Sequence, residues 1–123
     1  MILRFAAFAA LVSFAVQSPG YAASSGSHQF SGVASYYDTH YHGRTASGVQ
    51  YNPNSFTAAH KTLPFGTRLR VTDAASGRTV EVVVNDRGPF TRGRVIDLSP
   101  SAAKQLQMRK RGLTHITASV VAP

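Results

Sequence analysis

Arg68-Leu-Arg-Val-Thr72 and Thr79-Val-Glu-Val-Val-Val-Asn85 each alternate polar and apolar residues, and they are separated by Ala74-Ala-Ser-Gly77. A period of two belongs to a strand with one buried face, so this stretch predicts an antiparallel hairpin closed by a small-residue turn. Phe30-Ser-Gly-Val-Ala-Ser-Tyr-Tyr37, Gly93-Arg-Val-Ile-Asp97 and Thr114-His-Ile-Thr-Ala-Ser-Val-Val121 add three strands rich in β-branched and aromatic residues. One helix interrupts them. Ser99 caps it, Pro100 takes the first helical position where its missing N–H costs nothing, and Ala102-Ala-Lys-Gln-Leu-Gln-Met108 continues toward Gly112. Short strands at this density, in a chain of 123 residues, predict one mainly β domain, a small barrel or sandwich, with no repeat and no second domain.

The first residues read differently. Met1-Ile-Leu-Arg4 carries a charge, Phe5 to Val16 is apolar or small apart from Ser13, and Gln17-Ser-Pro-Gly20 breaks the run before Tyr21-Ala-Ala23. That order is a secretory signal peptide, and an apolar core of about 12 residues is too short for the roughly 20 that span a bilayer. The expected organisation is therefore a signal peptide over 1–23, cleaved after Ala22 or Ala23, a polar linker over 24–29 and a domain over 30–121. An exported, monomeric protein of the periplasm, cell wall or exterior is expected, with no stable membrane anchor after cleavage. The chain holds no Cys, which excludes a disulfide framework, a thiolate zinc site, a cysteine nucleophile and a lipoprotein anchor.

Acid–base chemistry has few groups to draw on. The five acids are Asp38, Asp73, Glu81, Asp86 and Asp97. Three segments place polar groups beside Gly or Pro at strand ends, where scaffolds carry functional side chains: Gly43–Gly48, Thr57–Gly66, and Asn85–Phe90 followed by Arg94–Ser99. Strict alternation puts Asp86 on the face of Val80, Val82 and Val84, at the margin of an apolar row, where desolvation favours a protonated carboxyl and suits a proton donor. An equally simple reading has Asp86 open the Asp-Arg-Gly-Pro turn by accepting backbone hydrogen bonds. Asp97, two residues before Ser99, is expected to be ionised and held by the helix N-terminus. Solvated positions suffice for Asp38, Asp73 and Glu81. His60 either orients a substrate or shares a proton with a carboxylate, or else simply bonds to backbone. His40-Tyr-His42 has no carboxylate or thiolate at ligand spacing, so no metal is expected. There is no nucleophile elbow and no phosphate-cradling loop, so no cofactor is expected either. The net charge of +8 admits a polyanion, but the basic residues are scattered rather than gathered in an arm, and nucleic acid is not an expected partner.

Gly32-Val-Ala-Ser-Tyr-Tyr37, His42-Gly-Arg-Thr-Ala-Ser-Gly48, Phe56-Thr-Ala-Ala-His-Lys-Thr-Leu-Pro-Phe-Gly-Thr67, Val84-Asn-Asp-Arg-Gly-Pro-Phe90 and Arg94-Val-Ile-Asp-Leu-Ser99 resemble the successive signature segments of the rare lipoprotein A (RlpA) family. The resemblance implies a six-stranded double-psi β-barrel with one or two short helices, related to the barrel of expansins. It implies peptidoglycan glycan strands as partner and endolytic transglycosylase activity on strands lacking stem peptides. The family's active-site trio falls on Val49, His60 and Asp86, with Val49 standing where the family usually has Glu. Asp86 and His60 are thus the catalytic candidates. Tyr36, Tyr37, Thr45, Ser47, Arg87, Phe90 and Asp97 are the substrate-binding candidates. Two-carboxylate hydrolysis of a glycoside is hard to build from this set. Transglycosylation needs one acid that protonates the leaving oxygen and takes the proton of the attacking C6 hydroxyl. The alternative is an expansin-like protein that binds glycan without cutting it, stacking Tyr36, Tyr37, Tyr41 and Phe90 on sugar rings.

Overall fold

A computed structural model describes residues 28–123; the expected signal peptide and most of the polar linker lie outside the described residues. The strands are β1 (Gln29–Tyr36), β2 (Thr57–Ala59), β3 (Arg68–Asp73), β4 (Thr79–Asp86), β5 (Arg94–Leu98) and β6 (Thr114–Ala122), with one helix, α1 (Pro100–Gln105). They close into a barrel in the order β1-β5-β2-β4-β3-β6. β1 runs parallel to β5 and β2 parallel to β4, while the other four pairings are antiparallel. This is the mixed six-stranded double-psi barrel that the resemblance implies. A Cβ at Gly32 would meet Val95 Cγ1 at 2.6 Å, so β1 lies against β5 only because that position is glycine.

Alternation fills the barrel as expected. Leu69, Val71, Val80, Val82, Val84, Ile96 and Leu98 all point into a core from which solvent is excluded, and each such side chain contributes about 1.5–3 kcal/mol by burial. The hairpin of β3 and β4 pairs Val71 with Val80 and Leu69 with Val82. Glu81 stays exposed beside Arg70, as the solvated reading requires.

Three expectations are corrected. β2 is a strand that the residue pattern did not reveal, because three residues are too few to display a period. The helix ends at Gln105 rather than near Met108. Its cap is as expected, with Ser99 Oγ accepting from Ala102 N–H. Its end is set by tertiary packing: Gln107 takes φ +55°, Gln107 N–H bonds Lys104 O and Met108 N–H reaches back to Ala103 O. That is a Schellman closure, and it drops Met108 into the core, where it is fully buried. Asp73, expected in a solvated turn, is also fully buried. Its carboxylate accepts from Ser76 Oγ, Thr114 Oγ1, Ala75 N–H and the Arg111 guanidinium at 2.7–3.2 Å. Burial alone works against its charge, but these donors outweigh it and hold the carboxyl well below the usual carboxylate range.

Candidate active site

The site is built by one slip of register. Val84 stands opposite Ala58, and Ala58 opposite Leu98, which makes a row of core residues. Strict pairing would next place Asn85 opposite Ala59. Instead the β2–β4 ladder shifts, so that Asp86 faces Ala59, Ala59 faces Asp97, and Asp97 faces Ser35. Ladder partners share a face of the sheet, so the bulge turns Asp86 out of the valine row and onto the face that carries Asp97. The expected parity of Asp86 with Val80, Val82 and Val84 is thereby corrected. The two half-buried aspartates lie two strand spacings apart, about 9–10 Å between Cα atoms, with only the methyl group of Ala59 between them.

Ser35 and Ala59 are buried on this face, and residues 37–56 fold back onto the end of β4 beside it. The excursion is pinned to the end of β4, where Ser47 N–H bonds Asn85 O. It delivers Ala46 N–H to Asp86 Oδ1 at 2.7 Å, and Arg87 N–H reaches the same oxygen at 2.9 Å. The Tyr37 hydroxyl donates to Oδ2. Asp86 therefore meets the turn reading taken from the residues, accepting backbone hydrogen bonds, one of them from a distant loop. Asp97 makes no bond to the helix N-terminus. It accepts from Ser35 Oγ at 2.6 Å, and burial pushes its carboxyl up, against the pull of Ser35 and Arg94 and with the help of Asp86. The expectation of a helix-stabilised carboxylate at Asp97 is corrected.

An aromatic cluster covers the pair. Tyr37 stacks on Tyr51 with centroids 4.8 Å apart, and Tyr41 meets both edge-on at 5.5 and 5.1 Å. Desolvation raises the Tyr37 phenol far above its ordinary range, with Asp86 adding to it. Tyr51 is pushed up to about 12 by burial and by Asp97. Its hydroxyl is buried with no hydrogen-bond partner among the described residues. Tyr51 was not a candidate from sequence, since its role comes from stacking across a loop and leaves no local pattern.

The remaining candidates divide. Phe90 projects into solvent, 82% exposed, beside Asp86 in sequence and free to stack on a ring. Tyr36 is not in the site: its hydroxyl bonds Arg109 O at 2.7 Å. The Thr45 hydroxyl is occupied inside its own turn by Ser47 Oγ and Val49 O, so Thr45 and Ser47 shape the loop that holds Asp86. Val49 itself is 57% exposed on that loop. The Arg87 guanidinium bonds Leu63 O and His60 O and sits 4.0 Å above the Phe65 ring. It clamps residues 60–65 and does not fold back on Asp86. His60 Nδ1 accepts from Thr62 N–H and Leu63 N–H at 3.1 and 3.0 Å, and its ring lies 5.0 Å from Phe30. No hydrogen bond joins the His60 ring to Asp86; the link is His60 N–H to Asp86 O through the backbone. Desolvation, Arg87 and Lys61 lower the His60 imidazole from its ordinary value. The ring lines a separate groove of about 390 Å³ with Leu63, Val95 and Val120.

The structure thus defines a closed double-psi barrel with two carboxyls on one face, beside a cluster of three tyrosines. Residues 29–118 match the lytic transglycolase family, and the chain belongs to that family. The chain is 50% identical over 91 residues to the probable endolytic peptidoglycan transglycosylase RlpA of a Synechocystis species, covering 73% of this chain and 28% of that protein. It is 48% identical over 91 residues to the endolytic peptidoglycan transglycosylase RlpA of Campylobacter jejuni, covering 73% of this chain and 33% of the relative. It thus spans about a third or less of these relatives' length. The apo expansin of Clavibacter michiganensis superposes with TM-score 0.61 at 24% identity over 77% of this chain and 52% of that one, a likeness of fold alone.

Proposed function

We propose that this chain is a peptidoglycan lytic transglycosylase that cleaves glycan strands between N-acetylmuramic acid and N-acetylglucosamine, leaving 1,6-anhydro ends. The observation that carries this reading is the Asp86 carboxylate, oriented by Ala46 N–H, Arg87 N–H and Tyr37 OH and facing Asp97 across Ala59. Protonated Asp86 gives its proton to the leaving glycosidic oxygen as the bond to the anomeric carbon breaks. The C6 hydroxyl of the same muramic residue attacks that carbon and returns its proton to Asp86, so no water is consumed. Asp97, a carboxyl that burial pushes toward its protonated form, supplies a hydrogen-bond donor to the sugar beside the reacting bond. Phe90 offers an apolar platform for a ring. His60 acts by fixing the 60–63 loop rather than by sharing a proton with Asp86. The names of the relatives support the substrate class, and the excess of cations suits an anionic wall outside the cytoplasm. Export, a periplasmic or extracellular site of action and a monomeric state belong to the same proposal.

Denuded glycan strands incubated with the purified chain should release anhydro-muramic products by mass spectrometry, and Asp86→Asn should cut the rate by roughly 10²–10⁴. Anhydro products that persist unchanged in Asp86→Asn would sink the assignment. A second reading, glycan binding without cleavage, is favoured by one observation: Val49 places an exposed apolar side chain where the resemblance calls for Glu. Sedimentation with insoluble peptidoglycan, with no product at high protein loading, would select it.

A further inference from the structure

Three cations close in sequence, Lys104, Arg109 and Lys110, line grooves at the end of α1. One groove of about 360 Å³ is lined by Lys104, Gln107, Arg109 and Lys110. A second, of about 300 Å³, is lined by Thr39, Pro53, Asn54, Ser101, Lys104 and Arg109, among others. The two share Lys104 and Arg109, so they form one trough along the end of α1 and the 52–54 turn.

Its walls are tied by hydrogen bonds. Tyr36 OH holds Arg109 O from below, and the Schellman closure at Gln107 and Met108 fixes the approach. Ser101 ties the far wall to Pro53 O through both its N–H and its hydroxyl. Its cations are unmatched. Among the described residues, which include all five acids, Asp73 is taken by Arg111 and Glu81 by Arg70. Asp86 and Asp97 lie in the site above, and Asp38 bonds His40 N–H. No carboxylate pairs with Lys104, Arg109 or Lys110. A cation in the last turn of a helix has a local role for Lys104, but Arg109 and Lys110 have none.

We propose that this trough binds a linear polyol phosphodiester, one phosphate seated at Lys104 and Arg109 and the next at Lys110. Arg supplies a forked donor and Lys a point charge for phosphate oxygens, while Thr39, Asn54 and Gln107 offer polar groups to the polyol. No aromatic ring lines either groove, so the trough lacks the stacking platform by which single-stranded nucleic acids are held.

The test is fluorescence anisotropy of labelled poly(glycerol phosphate) with the purified chain, over a salt series. Lys104→Gln/Arg109→Gln is compared with Arg68→Gln/Arg78→Gln, which removes the same charge from the β3–β4 hairpin at residues that line neither groove. The trough double variant should weaken binding at least tenfold and lower the slope of log K against log salt by about one to two, while the hairpin variant stays within threefold of the parent. Equal losses in the two variants would mean that net charge alone binds, and would overturn the site. Poly-L-glutamate bound as tightly as the phosphate polymer would overturn the phosphodiester assignment. Single-stranded DNA of equal charge bound more tightly would overturn the polyol. Because the readout is binding, it is independent of whether the chain cleaves glycan.

Discussion

Asp86 owes its place to a single extra residue in one ladder, and the groups around it set what substitutions should do. Val49 O accepts from both Thr45 N–H and Thr45 Oγ1, so the loop is held by backbone and the exposed Val49 side chain is free of structural duty. Val49→Glu should therefore fold as the parent does. With a second acid added on the loop that holds Asp86, it should raise the rate on denuded strands by on the order of 10², the usual worth of one preorganised polar group; a rate unchanged in that variant would show that the position has no part in the chemistry. His60 makes a prediction about stability. Its folded imidazole is held below the ordinary value of about 6.5, so as pH falls through that value the unfolded chain takes up a proton that the folded chain refuses. Stability is thus present above about pH 6.5 and declines below it. His60→Asn keeps an acceptor for Thr62 N–H and Leu63 N–H and removes the titration, so urea unfolding at pH 7 and 5.5 should show a smaller loss in the variant than in the parent.

At the scale of elements, the short helix shows how a local preference yields to packing. Ala102 to Met108 has helical propensity throughout, yet the chain turns left-handed at Gln107 because Met108 gains more by entering the core than by continuing the helix. A left-handed conformation costs an L-residue roughly 1–2 kcal/mol, and glycine gives back part of that relief through its unfolded-state entropy. Gln107→Gly should then stabilise the protein by about 0.5–1 kcal/mol, read as a rise in the urea midpoint with unchanged slope. A lower midpoint would mean that the Gln107 side chain contributes contacts that the Schellman geometry does not require.

Over the whole molecule, Asp73 ties together segments that are distant in the chain. It joins the end of β3, the turn into β4 and the segment that leads into β6, and four donors converge on it. The Arg111 side chain is 39% exposed and can be resolvated, but Asp73→Ala leaves the buried Thr114 hydroxyl without its acceptor, at about 1–3 kcal/mol for an unsatisfied buried polar group, so the variant should unfold at a lower urea concentration than the parent. The sign with pH follows from its depressed titration: the unfolded carboxyl takes a proton near pH 3.9 while the folded one does not. This stabilisation is complete above about pH 5 and is lost as pH falls below the unfolded value. Acid unfolding of Asp73→Asn should show a shallower dependence over that range than the parent.

Five strands, the helix start at Ser99 and the buried row of valines were legible because alternation and capping are local signals, written within a few neighbouring residues. Asp86 was legible as an acid at the end of an apolar strand beside a turn. What no local pattern carries is the pairing of distant segments. β2 is a strand only because β4 and β5 flank it. Asp86 leaves the valine face only because the β2–β4 ladder slips. Asp97 meets Ser35 instead of the helix, Tyr51 becomes the support of Tyr37, and Asp73 passes from an apparent surface turn to a buried anchor. The sequence alone determined which residues alternate, cap and turn, because those preferences act over one turn or one pleat. The tertiary structure decided which charges are buried, which are paired and which two carboxyls share a face, because burial and Coulomb interaction depend on neighbours that the closed barrel brings together from far along the chain.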